Sequence, residues 1–73
     1  MKAKEYMNNN INDPYHVFVC AKRNYVNSWT TTTLENAKKS IQLFFKETKL
    51  PRDKAIIKDS DWNTLEEIKN ETK

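Results

Sequence analysis

Seventy-three residues with a net charge of +3 make one domain, close to the lower limit for a chain that folds on a single hydrophobic core. One cysteine, Cys20, and one histidine, His16, exclude an internal disulfide and leave too few ligands for a structural metal site. The absence of glycine excludes phosphate-cradling loops, dinucleotide-binding folds and KH-type clamps, so no cofactor is expected.

The start of the chain, Met1 to Asn8, lacks the apolar stretch of a signal peptide. No segment reaches the roughly 20 apolar residues that cross a bilayer. A cytoplasmic protein is therefore expected, without a membrane partner. Residues 1–13 are polar and rich in asparagine, and Pro14 holds Asp13 in extended geometry. They read as a flexible arm with a transient turn near Lys4–Met7, ahead of a single domain over 14–73. Tyr15–Arg23 is the best strand in the chain, dense in β-branched and aromatic residues. Tyr15, Val17, Val19 and Ala21 share one face; His16, Phe18, Cys20 and Lys22 share the other. Two partly apolar faces suit a central strand. Asn24 reads as the turn, and Tyr25–Thr32 as the second strand of a hairpin.

A helix follows directly. Thr32 with Glu35 three residues on forms a capping box, with Thr33 as the alternative cap. Leu34, Ala37, Ile41, Phe44 and Phe45 recur at three- and four-residue steps and predict one buried stripe, centred on Ile41 and Phe44. Leu50-Pro51 ends the helix, and Lys54–Lys58 reads as a third strand. Asn63 and Glu66 make a second capping box, which predicts a last helix anchored by Leu65 and Ile68 with Trp62 at its entrance. The expected fold is α+β, β-β-α-β-α, a three-stranded antiparallel sheet of order 2-1-3 covered by one main helix. Its second face is left to the last helix or to a second copy of the chain.

The residue types speak against catalysis. His16 and Cys20 lie four apart on one strand, roughly 13 Å, too far for a nucleophile and its base. Asp59 and Asp61 read as helix-terminal acids, and Glu66-Glu67 as solvated carboxylates. The protein is not expected to be an enzyme. Charge is uneven: residues 38–58 carry seven lysines and arginines against Glu47 and Asp53, while 59–73 carry two lysines against five acids. Lys38, Lys39, Lys46 and Lys49 along the helix, with Arg52 and Lys54 beyond it, are candidates for contact with a nucleic-acid backbone. Aromatic residues on an open sheet face (Tyr15, Phe18, Tyr25, Trp29) would stack single-stranded bases. Tyr25 and Trp29, on an edge strand, are candidates for pairing with a protein partner or a second copy in a homodimer.

The junction Thr32-Thr33-Leu34-Glu35-Asn36-Ala37-Lys38-Lys39, placed after a hairpin, resembles one found in very small phage and mobile-element proteins of the anti-CRISPR type. The resemblance implies a protein without catalysis that blocks a host macromolecule through a surface patch, in the host cytoplasm if it is phage-encoded. Two readings of function follow. One is a non-enzymatic binding protein acting by protein–protein contact, a phage-type inhibitor of a host defence or nucleic-acid-processing complex. The other is a small nucleic-acid-binding protein using its lysine-rich helix face.

Overall fold

The computed structural model describes residues 2–71. Met1 of the expected arm, and Thr72 and Lys73 of the expected domain, lie outside the described residues. Strand β1 covers Tyr15–Ala21 and β2 covers Asn24–Thr31; α1 follows over Leu34–Glu47, then β3 over Lys54–Lys58 and β4 over Thr64–Lys69. The strands make one antiparallel sheet in the order β2-β1-β3-β4. The protein is α+β, and β1 is hydrogen-bonded on both sides, as its two apolar faces predict.

The expected three-stranded sheet gains a fourth strand, and the expected last helix is absent. Thr64–Lys69 pairs with β3 instead. Leu65 and Ile68 alone cannot give so short a helix an apolar stripe, and short isolated helices are unfavourable in water. Pairing also satisfies the backbone groups along the outer side of β3. Ile68 packs against the core, and Glu66 meets Lys38 of α1 at 3.2 Å.

Two boundaries also differ from expectation, and the helix takes the second of its two expected caps. The first strand stops at Ala21, and Lys22 and Arg23 rather than Asn24 make the turn, with φ of 51° and 75°. A two-residue hairpin turn of type I′ takes positive φ at both central positions, which matches the strand twist. The helix cap is Thr33, whose Oγ1 accepts the Asn36 N–H at 3.0 Å, so Thr32 and Glu35 form no box. The helix ends with Thr48 as its C-cap, two residues ahead of Leu50, which Pro51 biases away from helical geometry.

The core lies between α1 and one face of the sheet. Val17, Val19, Trp29, Ala55 and Ile57 of the strands meet Ala37, Ile41 and Phe45 of the helix. Complete burial of Ile41 alone is worth about 1.5–3 kcal/mol. Phe44, expected as a buried partner of Ile41, is half-buried against Trp29 at 5.1 Å, and Phe45 takes the fully enclosed position. One polar contact is built into this layer. The Trp29 Nε1–H donates to Ser40 Oγ at 2.8 Å, and Ser40 donates in turn to the Ala37 carbonyl at 2.7 Å.

The segment expected as a flexible arm is docked along the domain. Ala3–Tyr6 forms a turn of 3-10 helix, and the buried Ala3 donates its N–H to Glu47 Oε2 at 2.6 Å. Asn8 forms a β-bridge with Thr30. The buried Asp13 carboxylate accepts from Thr30 Oγ1 at 2.8 Å and Asn8 Nδ2 at 3.1 Å.

Ser40→Ala should destabilise the domain by about 1–3 kcal/mol, because it leaves a buried indole N–H without a partner while removing almost no volume. Phe45→Ala should cost about 3–5 kcal/mol, and Phe44→Ala clearly less. Urea unfolding of the two phenylalanine variants checks the order; a larger loss at Phe44 would mean the helix presents a different face.

Candidate functional site

The helix covers one side of the sheet, and no described helix covers the other. That open face carries His16, Phe18 and Cys20 from β1, Lys54, Ile56 and Lys58 from β3, and Glu67 and Lys69 from β4, because these residues pair in register across the strands. Its aromatic centre is built by two turns and a bulge. Val26 is the extra residue where the β1–β2 register shifts, and it changes the phase of β2. Tyr25 therefore pairs with Cys20 on the open face, whereas Trp29 pairs with Val17 on the helix face.

The β3–β4 turn supplies the second aromatic. The Asp59 carboxylate accepts the N–H groups of Asp61 and Asn63, each at 2.9 Å, and the Asp59 carbonyl accepts the Trp62 N–H at 3.0 Å. This cage sets Trp62 at a φ of 66°, a left-handed conformation that costs a non-glycine residue roughly 1–2 kcal/mol. The indole lies over His16 at 4.8 Å and Phe18 at 6.1 Å between ring centres. Tyr25 meets Phe18 edge-on at 6.1 Å from the other side. Phe18, Tyr25, Ile56, Lys58 and Trp62 line a hollow of about 220 Å³. Tyr25 remains 60% exposed and Trp62 53% exposed.

The expected partner-binding residues divide into three groups. Tyr25 stands on the open face. Trp29 does not: only 7% exposed, it is spent on the core and on Ser40, which corrects its expected place on an exposed edge. That edge is also narrowed by the Asn8–Thr30 bridge and the Val26 bulge. The basic residues do not form the expected stripe. Lys38 turns to Glu66, and Lys39 lies over the Tyr6 ring at 5.9 Å.

Lys46, Lys49 and Arg52 do come together, around a hollow of about 530 Å³ beyond the C-terminal end of α1. The hollow is spacious, yet a helix C-terminus repels anions. The Arg52 guanidinium is committed to Asn27 Oδ1 and the Pro51 carbonyl, each at 2.8 Å. We read the hollow as a helix end complemented by cations, not as a pocket for an anionic ligand. Lys54 ends on the open face, 3.4 Å from Glu67.

Sequence reasoning missed Trp62 as a surface aromatic and the Lys22-Arg23 turn. The signal for the first was an Asp-Ser-Asp run before Trp62, a turn composition as much as a helix start. Cys20 is buried and unpaired, and no cluster of three potential metal ligands occurs among the described residues. No described helix is long and apolar enough to cross a membrane. The sequence matches no family model, and no curated protein and no solved structure is significantly similar to it.

The Asn63 backbone N–H holds the Asp59 carboxyl below the usual carboxylate range; desolvation opposes this, and the Asp61 N–H and the Asn63 side-chain amide add to it. A folded-state value that is depressed contributes stability above the unfolded value, and loses it as pH falls through the lowered one. Titration followed by NMR should place Asp59 below an ordinary aspartate, with the Trp62 indole resonance moving at the same midpoint. An Asp59 that titrates like a free aspartate would contradict the cage.

Proposed function

We propose that this is a non-enzymatic binding protein that acts by protein–protein contact, with the open sheet face around Phe18, Tyr25 and Trp62 as its contact surface. The conformation of Trp62 carries the reading. A glycine or asparagine would fit a left-handed turn position with little or no strain. The chain instead places there a tryptophan, a residue more than half exposed with its ring beside Phe18. Backbone strain that holds an exposed aromatic in place is the kind found at functional sites. Tryptophan and tyrosine in a desolvated hollow are also the commonest anchors of protein interfaces.

The surroundings support a protein partner at this face over a nucleic acid. Asp59 and Asp61 flank Trp62 and would repel phosphates there, while Lys54 is paired with Glu67. His16 is buried beneath Trp62 and stands well away from Cys20, so the face offers binding area and no catalytic pair. A compact surface of this kind suits an inhibitor of the phage type, which occupies a host defence or nucleic-acid-processing complex without chemistry. A second copy of the chain is the simplest other occupant, and sedimentation distinguishes it.

Tyr25→Lys and Trp62→Ser should each abolish capture of the partner from host lysate while the far-ultraviolet circular dichroism stays unchanged. Lys39→Ala, on the opposite side, should capture as the native chain does. Capture that survives both aromatic substitutions would remove the open face as the contact surface.

A further inference from the structure

The end of the sheet away from Asp59 and Asp61, where the aromatic face gives out, carries its own inference. The topology brings to one end of the sheet residues that are far apart in sequence. The Lys22-Arg23 turn is tied to the α1–β3 connection, because Asp53 Oδ2 accepts the Lys22 N–H at 2.7 Å and the Cys20 carbonyl accepts the Asp53 N–H at 2.8 Å. Asn70 donates its N–H to the Asp53 carbonyl at 2.9 Å, which sets the end of β4 beside them, and Lys54 and Lys69 are register partners. The C-terminal end of α1, with Lys46, shares a hollow with Arg52, Asp53 and Asn70. Seven basic side chains therefore meet at one pole: Lys22, Arg23, Lys46, Lys49, Arg52, Lys54 and Lys69.

The acids within this pole are Glu47, Asp53, Glu67 and Glu71. The first two direct a carboxylate oxygen to a backbone N–H, of Ala3 and of Lys22, and Glu67 pairs with Lys54. Lys22, Arg23, Lys46, Lys49 and Lys69 are exposed, and none of them is in an ion pair among the described residues. The negative end of the helix dipole, about half a charge, subtracts from this pole without cancelling it. The turn at its apex is strained, since Lys22 and Arg23 both adopt positive φ where asparagine and glycine are the usual residues. The strain projects two cations beyond the end of the sheet.

We infer that this pole is a binding surface for the phosphate backbone of nucleic acid. Charge complementarity argues for the occupant: the pole spreads exposed cations around an open hollow, which suits an extended polyanion and not a small anionic ligand. Lysines outnumber arginines there and no base-reading motif accompanies them, so the contact is with backbone and not with sequence. It lies at the end of the sheet away from Asp59 and Asp61, which leaves both surfaces usable at once. A protein that holds a nucleic-acid-processing complex by its aromatic face could in this way touch the nucleic acid bound there.

The test is fluorescence anisotropy of the full chain with a duplex DNA of arbitrary sequence, over a range of salt. Binding should weaken steeply with salt, with a log–log slope of about −4 for four to five phosphates, and should show no sequence preference. Arg23→Ala, Lys46→Ala and Lys49→Ala should each reduce that slope by about one, whereas Lys39→Ala should leave it unchanged. None of the three should alter partner capture through Tyr25 and Trp62, so the two surfaces fail separately. No binding at low salt, a slope indifferent to these substitutions, or tighter binding to polyglutamate than to DNA would overturn the inference; the last would assign the pole to an acidic protein.

Discussion

A sheet has two faces, and among the described residues there is one α-helix with which to cover them. The 14 residues of α1 lie over the side formed by Val17, Val19, Trp29, Ala55 and Ile57, and the remaining length is used for a fourth strand. Everything of functional interest on the sheet follows from that allocation. The opposite face carries Phe18, His16 and Ile56 because β1 and β3 alternate; no helix covers them, and Trp62 and the edge of Tyr25 lie over them, with His16 and Ile56 buried beneath. A domain of this size tolerates the arrangement because the covered side is tightly built. Several of its residues are wholly enclosed, and every buried side-chain polar atom among the described residues has a partner.

Single-residue irregularities then decide what each face presents. The extra residue at Val26 separates Tyr25 from Trp29, which four-residue spacing would otherwise put on the same side. Leu65 plays the same part in β4, between Glu66 on the helix side and Thr64 on the open side. Both bulged residues are exposed, and both outer strands are thereby poor templates for extending the sheet. At the turns, the lack of glycine forces Lys22, Arg23 and Trp62 into left-handed geometry, and side chains of Asp53 and Asp59 brace those positions. Asp59, which reads in the sequence as a helix-terminal acid, and Asp53 of the α1–β3 connection are thus the struts of the two turns that shape the surface.

Much of the fold was legible from residue types. The central strand, the order of the first three strands, and the helix with its Ala37, Ile41 and Phe45 stripe follow from alternation and from three- and four-residue spacing. The C-terminal segment did not, because Asn63 and Glu66 offer a helix signal while the free side of β3, which decides the matter, is a tertiary feature. The candidate surface was less legible. Tyr25 could be picked out; the inward turn of Trp29 depends on a bulge that leaves no mark in the sequence. The basic residues were visible as a block of charge between 38 and 58, and a linear reading spread them along a helix. Their actual meeting place includes Lys22, Arg23 and Lys69, which only the pairing of β3 with β1 and β4 brings near.

The central claim is that the last segment is a strand, so that the second face stays open. Nuclear Overhauser contacts from Thr64 to Lys69 test it most directly. The structure predicts cross-strand contacts between Ala55 and Ile68 and between Ile57 and Glu66, with slow amide exchange along β3. Contacts between residues three apart within that segment, with none to β3, would mean a helix stands there instead and would contradict the account.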